Sequence, residues 1–372
     1  MALSSDVAKH NARRGVWTVS RRVTIYYPIE EIAVIWPPIA SQNAKLVSVI
    51  HECSELIPVE SPGYHPAKLR IRAVLRPASE HVVKFQKESP SRFLANAVIW
   101  LRFSTKAVPT RDAPPIERSD GTLEEWPLDE RRKLFETLFA ESCERAIQLF
   151  VVAMNIARPG VFKLGAGICL MDDHPVLRME PILHEIDVVF REAIERGWPD
   201  FIELDPVKTW KWASRHAGFL EGTSQTPIGR ALNAYSYFFG ETFSGGEIEE
   251  LVWSLIGLEA LYARNEDSIV NQIVGKCALL IPGAEKYQKQ IKDLYNFRSR
   301  LLHGQRNIPN KFNAGDATSE IDKVQSDYYI MQFLGAAILV ASLQYLVRHD
   351  LNSLDFSYRL AQGIASQESR TK

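Results

Sequence analysis

The residue types best suited to chemistry lie in one short segment, Arg298-Ser299-Arg300-Leu301-Leu302-His303. This segment ends a predicted helix over 284–303, whose apolar stripe includes Tyr287, Ile291, Leu294 and Leu301. The stripe should continue with an apolar side chain at position 298, yet a guanidinium stands there. A guanidinium in a buried stripe is costly unless it is paired. Either a carboxylate of the same chain pairs with Arg298, or this face meets a second molecule or a ligand.

A histidine, His303, lies five residues after Arg298 and directly before Gly304. Positions five apart do not share a face of an ideal helix, which has about 3.6 residues per turn. Two features relax that constraint, because glycine can end the helix just after the histidine and an arginine side chain has a long reach. Further cations lie nearby at Arg300, Arg306 and Lys311. A cationic cluster around one imidazole suits chemistry on phosphate groups.

The stretch Tyr295-Asn296-Phe297-Arg298-Ser299-Arg300-Leu301-Leu302-His303-Gly304 resembles the R-x4-6-H signature of the HEPN superfamily. The most similar branch is that of the ApeA-like HEPN domains of bacterial defence proteins. The run Leu258-Glu259-Ala260-Leu261 fits the Leu-Glu-rich helix that often precedes the signature in that branch. The resemblance covers about residues 210–360, and no family suggests itself for the N-terminal half.

The resemblance implies metal-independent cleavage of RNA by a homodimer, in which two Arg–His pairs meet across the interface. The 2′-hydroxyl attacks the adjacent phosphate and leaves a 2′,3′-cyclic phosphate. By position, His303 would be the general acid or base, and Arg298 would bind the phosphate and stabilise developing charge. The resemblance also implies supporting roles for Ser299, Arg300 and Glu259, and RNA-binding roles for Arg306 and Lys311.

Two alternatives to catalysis stay open. Many active members of the superfamily have Asn, Asp or His after the motif arginine, where this chain has Ser299. The superfamily also contains RNA- or nucleotide-binding modules and structural dimerisation bundles. In such a protein Arg298 would form an ion pair with Glu259, which lies on the apolar side of its own helix. His303 would then be a cation near the negative end of the helix dipole.

The N-terminal half, residues 1–205, is predicted as a β-rich domain with one long helix over 129–158. The pattern of β-branched, aromatic and alternating apolar residues predicts strands over 16–27, 68–76 and 96–103. Two short apolar runs, 161–170 and 186–190, are expected to return to the sheet. By analogy alone, this domain is interpreted as a sensor or partner-selecting unit, with an antitoxin or trigger protein as its partner.

The second half, residues 206–365, is predicted to be an all-helical, HEPN-like bundle, which makes the fold class α+β. Apolar periodicity and helix-ending residues predict helices over 227–239, 247–263, 267–281, 284–303, 318–349 and 353–362. Thr226 is placed to cap the first of them. Short connections favour antiparallel neighbours in a bundle.

The overall composition narrows the class of protein further. A formal net charge of −1 argues against a uniformly basic nucleic-acid coat, although a local basic patch remains compatible with it. The four cysteines are far apart and form no metal motif, which predicts reduced thiols in a cytoplasmic protein. The apolar stretch 333–347 is shorter than the ~20 residues of a membrane span, so a buried helix is expected there. No metal, cofactor or membrane insertion is predicted.

Three weaker signals have ordinary explanations. Asp172-Asp173-His174 and His184-Glu185 contain metal-binding residue types, but their spacing matches no metal motif. Trp210 and Trp212 could stack on bases, yet packing at a domain junction is the expected role. The basic face of the strand over 68–76 is interpreted as a solvated sheet face.

Overall fold

A computed structural model describes residues 20–28, 72–76, 98–106, 116–117, 119–124, 127–160, 164, 167–171, 174–180, 182, 186–239, 248–263, 268–306 and 319–356. These residues combine helices with strands, and most of them are helical. The class of the described part is therefore α+β with a large helical portion. Lys311, Cys53, Asp172, Asp173, His184 and Glu185 lie outside the described residues.

The strands are β1 (Ser20–Pro28), β2 (Arg72–Arg76), β3 (Val98–Lys106), β4 (Ile116–Glu117), β5 (Leu123–Glu124), β6 (Gly167–Met171) and β7 (His174–Met179). Five of them form an antiparallel sheet in the order β2-β3-β1-β6-β7, while β4 and β5 pair separately. Ile25 on β1 lies opposite Leu101 on β3 and Cys169 on β6. Much of the chain before residue 127 lies outside the described residues, so a β-rich N-terminal domain as a whole stays a prediction.

The first long helix, α1 (Leu128–Ala157), confirms the helix predicted over 129–158. Its buried side includes Ala140, Cys143, Ile147, Val151 and Met154. Asn155 helps to end it, because its side-chain oxygen accepts a hydrogen bond of 3.0 Å from the Gly160 backbone N–H. The helix packs against β7 and against helices from the C-terminal half, so it joins the sheet to the bundle.

The prediction of a strand over 186–190 is wrong, because these residues begin the helix α2 (Ile186–Arg196). Its buried positions include Ile186, Val189, Phe190 and Ala193, which are spaced by three and four residues as on one face of a helix. A short apolar run does not distinguish a strand from a buried helix by itself. The other short run, 161–170, does reach the sheet, where it contributes most of β6.

The remaining helices are α3 (Pro206–Ser214), α4 (Ala217–Glu221), α5 (Pro227–Ser236), α6 (Ile248–Tyr262), α7 (Ile269–Leu280), α8 (Gln288–Leu302) and α9 (Ser319–Arg348), with a 3₁₀ turn at Ala284–Tyr287. They confirm five of the helices predicted after residue 205, with bounds that differ by a few residues. Thr226 caps α5 as expected, because its hydroxyl accepts a hydrogen bond of 3.1 Å from the Gly229 N–H. The predicted helix over 353–362 is not confirmed, since residues 353–356 are not helical.

The last helix, α9, lies in the middle of the core and contacts α1, α2, α3, α6, α7 and α8. Its segment Ser326–Arg348 is long and apolar enough to cross a membrane, but 78% of its most apolar window is buried inside the protein. This burial confirms the buried helix expected at 333–347. Apolar residues from Ala140 to Leu354 form one hydrophobic cluster around it.

Gln344, the polar residue that interrupts the apolar stretch of α9, connects three segments of the core. Its side-chain nitrogen donates hydrogen bonds of 2.8 Å to the carbonyls of Ile156 and Ile202. Its side-chain oxygen accepts a bond of 3.0 Å from the Ile202 N–H. A buried carboxamide is stable only with partners such as these. The contact spans the predicted domain boundary at residue 205, so segments on both sides of that boundary share one core.

Candidate functional site

The neighbouring helices α6 and α8 bring Glu259 and Arg298 together. Arg298 Nη1 lies 3.4 Å from Glu259 Oε1, and the two side chains are only 23% and 24% exposed. The sequence predicted a partner for the Arg298 guanidinium, because this group lies within an apolar stripe. The partner is the Glu259 carboxylate, which interrupts the apolar stripe of the neighbouring helix. The pairing of Arg298 with Glu259 is thus confirmed.

Tyr295, one turn before Arg298 on α8, is a third member of this group that the sequence analysis missed. The Arg298 guanidinium carbon lies 5.7 Å from the centre of the Tyr295 ring. Burial raises the pKa of Tyr295, and the charge of Glu259 and a hydrogen bond to it act in the same direction, while Arg298 opposes them. Its spacing of three residues from Arg298 was the available signal, because such positions are neighbours on a helix surface.

The ion pair leaves hydrogen-bonding capacity unused. Among the described residues, buried Arg298 Nε and buried Glu259 Oε1 have no hydrogen-bond partner. A separation of 3.4 Å is also longer than the ~2.7–2.9 Å of a strong charge-assisted hydrogen bond. A guanidinium has five N–H donors in a fixed plane. Glu259 therefore holds Arg298 in place, while at least one N–H donor of the guanidinium stays unpaired.

The C-terminal end of α8 fixes the position of His303. Gly304 adopts a φ of 67°, a left-handed conformation that favours glycine. Its N–H donates to the Leu301 carbonyl at 3.1 Å, and the Gln305 N–H donates to the Arg300 carbonyl at 2.7 Å. These two bonds form a Schellman motif, which ends the helix at His303. Both His303 and Arg300 are exposed there, while Ser299 is half-buried.

Arg298 and His303 leave α8 in different directions. With about 3.6 residues per turn, positions five apart are separated by about 140° around the helix axis. His303, the residue that caps the C-terminal end of α8, has φ −89° and ψ 10°. The backbone therefore departs little from its helical path before this residue. Arg298 accordingly contacts α6, whereas His303 is exposed to solvent. Within one protomer the structure does not bring the two side chains into a common contact.

Arg306, predicted to contact RNA, has partners within the protein. Its Nη1 lies 3.2 Å from Asp327 Oδ2 on α9, and its guanidinium carbon lies 4.0 Å from the centre of the Phe297 ring. These contacts fasten the chain just after α8 to the bundle. The guanidinium is still 29% exposed. Lys311, its predicted companion, is outside the described part of the chain.

The two tryptophans considered for base stacking are core residues. Trp210 and Trp212 on α3 are almost completely buried. The Trp212 indole N–H donates a hydrogen bond of 2.9 Å to the Leu351 carbonyl, which ties α3 to the chain after α9. This confirms packing as their role.

No group of three or more His, Cys, Asp or Glu side chains in the described segments is arranged to hold a metal ion. Comparison with known protein families, with curated proteins and with solved structures yields no significant match to this chain. The similarity to the HEPN signature therefore depends on the residues of α6 and α8 themselves.

Proposed function

We propose that this chain is a metal-independent endoribonuclease of the bacterial defence or toxin type, built on a HEPN-like helical bundle of the ApeA-like branch. One observation carries the proposal. A half-buried arginine with spare donors is held by Glu259, and an exposed histidine ends the same helix. Phosphate transfer to a 2′-oxygen requires a cation for the phosphate and an imidazole for the proton, and α8 carries both.

The proposed reaction is an internal transfer within RNA. The 2′-hydroxyl attacks the adjacent phosphorus, and one His303 accepts its proton as the new O2′–P bond forms. The P–O5′ bond breaks, and the same His303, now protonated, donates this proton to the leaving 5′-oxygen. The products are a 2′,3′-cyclic phosphate and a 5′-hydroxyl. Arg298 stabilises the charge that builds on the phosphate oxygens. Arg300 and Arg306 guide the RNA backbone.

The divergence of Arg298 and His303 on one helix supports a homodimer as the active form. Two protomers with their α8 ends facing each other would place Arg298 of one beside His303 of the other. Each Arg298–His303 pair formed across the interface then makes one complete site. Ser299 lies between Arg298 and His303 in the sequence and is half-buried. Its hydroxyl is available for hydrogen bonding.

The proposed setting is the bacterial cytoplasm, where RNA is the substrate. Residues 1–205 form the β-rich part that recognises a trigger or an antitoxin protein. This division of labour is drawn by analogy with two-part defence proteins. In this division, the helical part carries out the cleavage of RNA.

A second candidate function, a non-catalytic RNA- or nucleotide-binding module or a structural dimerisation bundle, is favoured by the Arg298–Glu259 ion pair. An arginine whose carboxylate partner lies in its own protomer has a complete structural role without any substrate. The two candidates differ in what the exposed His303 does. It is essential for cleavage in the first and dispensable in the second.

The test is an RNA cleavage assay with excess chelator, using the native chain, Arg298→Ala and His303→Ala. Two substitutions are matched controls. His349→Ala removes an exposed histidine that follows α9, and Arg158→Ala removes a half-buried arginine paired with Glu203 at 2.6 Å.

We expect the native chain and both controls to cleave RNA, and the products to carry 2′,3′-cyclic phosphate ends. Arg298→Ala and His303→Ala should each lose at least about 100-fold in rate. Equal cleavage by all five proteins, or cleavage that disappears in chelator, would refute the proposal. Native protein that binds RNA without cleaving it would favour the second candidate.

A further inference from the structure

A cleft of about 420 Å³ opens between α1, α4 and α5, and neither Arg298 nor Glu259 lines it. Its polar lining consists of Arg145, Gln148, Asn233 and Ser236, and its apolar lining includes Phe219, Tyr237 and Phe239. Small-molecule sites have volumes of about 300–1,000 Å³ and combine apolar walls with a few polar groups. The cleft has both properties.

Among the described residues that line the cleft, Arg145 carries the only charge. Its Nη2 donates a hydrogen bond of 2.8 Å to the Leu220 carbonyl. The Arg145 guanidinium fits here because residue 222 is a glycine. A Cβ at this residue, whose φ is 78°, would lie only 2.7 Å from Arg145 Nη2. One anchored N–H leaves the remaining guanidinium donors available. Because the described part of the lining has a guanidinium and no carboxylate, it favours an anion such as a phosphate.

Two carboxamides, Gln148 on α1 and Asn233 on α5, are half-buried in the same cleft. Neither side chain has a hydrogen-bond partner among the residues that the structure describes. Nearby, the Ser236 hydroxyl donates a hydrogen bond of 2.6 Å to the backbone carbonyl of Asn233, so this bond does not involve the Asn233 side chain. Each carboxamide presents a donor and an acceptor in one plane, which is the pattern that matches the edge of a nucleobase.

The aromatic walls of the cleft are held in place by further aromatic residues. Phe219 is fully buried and meets Trp210 edge-on, with ring centres 6.5 Å apart. Tyr237 stacks on Trp253 at 3.7 Å with the rings nearly parallel, yet it remains 59% exposed. A fixed and exposed aromatic ring is a surface on which a planar heteroaromatic group can stack.

From these observations we infer that the cleft binds a nucleoside monophosphate. Arg145 holds the phosphate, Gln148 and Asn233 bind the edge of the base, and the aromatic walls contact its face. This site is independent of the proposed ribonuclease centre, because none of its lining residues belongs to the Arg298 group. It assigns a small-molecule ligand to the junction between α1 and the helical bundle.

The test is isothermal titration of the full-length chain with AMP, GMP, CMP and UMP, beside adenosine and inorganic phosphate. Two cleft variants are Arg145→Gln and Gln148→Leu. The matched control is Arg230→Gln, because Arg230 is also exposed and donates to a backbone carbonyl, that of Gln225, but does not line the cleft. Circular dichroism melting of each variant establishes that it is folded.

We expect saturable one-to-one binding of at least one nucleoside monophosphate, with affinity at least about tenfold above that of the matching nucleoside. Arg145→Gln and Gln148→Leu should each weaken it by about tenfold or more, and Arg230→Gln should leave it unchanged. If Arg145→Gln does not fold, Gln148→Leu decides alone. No binding of any of the four at millimolar concentration would overturn the inference, as would binding that both folded cleft variants retain.

Discussion

The guanidinium of Arg298 lies 3.4 Å from the carboxylate of Glu259, across the contact between α8 and α6, with both side chains about a quarter exposed. Each group interrupts an apolar helix face, and each compensates for the other. Removing one would leave a half-buried charge without its counter-ion. The ion pair therefore sets the place of Arg298 whether or not the protein is an enzyme.

The first prediction concerns the energy of that pair. In a double-mutant cycle of Glu259→Gln and Arg298→Met, we expect a coupling energy of about 1 kcal/mol, because the pair is partly desolvated. Urea unfolding of the four proteins measures it. Arg158 and Glu203, at 2.6 Å with 19% and 47% exposure, provide a comparison pair whose carboxylate is more open to solvent. Strict additivity at Glu259 and Arg298 would show that the two charges do not interact.

The second prediction concerns the close contact of α6 with α9, which positions Glu259. A Cβ at Gly335 of α9 would collide with the hydroxyl oxygen of Ser254 on α6. Gly335→Ala should lower the free energy of unfolding by about 1–3 kcal/mol, because overpacking at a buried contact outweighs the better helix propensity of alanine.

Gly275→Ala is the matched control for that substitution. Gly275 is also helical, on α7, but a Cβ there would meet nothing within 4 Å. This variant should gain about 0.5–1 kcal/mol from helix propensity. Urea unfolding of both variants checks the pair, and equal effects of the two substitutions would contradict the packing argument.

The third prediction concerns Glu144, on the sheet side of α1. Burial, followed by the charge of Glu141, raises the pKa of Glu144 from 4.5 to about 7. A raised pKa in the folded state means that the folded protein binds the proton more tightly than the unfolded chain. The resulting stability is fully present below about pH 4.5 and is lost as the pH rises through about 7.

Glu144→Gln removes this titration and keeps an acceptor for the Glu180 N–H, which donates to Glu144 at 2.6 Å. The variant should gain stability relative to the native chain between about pH 4.5 and 7, and the difference should be constant at higher pH. Denaturant unfolding across this range measures it. Glu195→Gln, on the exposed side of α2, is the control. A difference that does not change with pH would rule out the titration of Glu144.

Long periodic segments made much of the helical part predictable from sequence. Arg298 in an apolar stripe indicated a buried carboxylate, and the structure provides Glu259. By contrast, the run at 186–190 was too short to reveal its period, so α2 was mistaken for a strand. Gln344 looked like an interruption of α9, because its backbone partners at Ile156 and Ile202 are far away in sequence.

The cleft was beyond sequence analysis for a similar reason. Arg145, Gln148 and Asn233 are ordinary surface residue types at unremarkable spacings, and only the packing of α1 against α5 assembles them. Tyr295 was overlooked because an aromatic residue near an apolar stripe is normally interpreted as core. A site composed of separate segments has no local motif.

The most direct test of the ribonuclease account is complementation between two inactive chains. Differently tagged Arg298→Ala and His303→Ala chains are co-expressed, purified through both tags and assayed for RNA cleavage in excess chelator. The heterodimer keeps one Arg298 and one His303 on opposite protomers. Because these side chains diverge by about 140° on α8, we expect the heterodimer to cleave RNA at least about tenfold faster than either variant alone. A heterodimer as inactive as its parents, beside active native protein, would contradict the proposed mechanism.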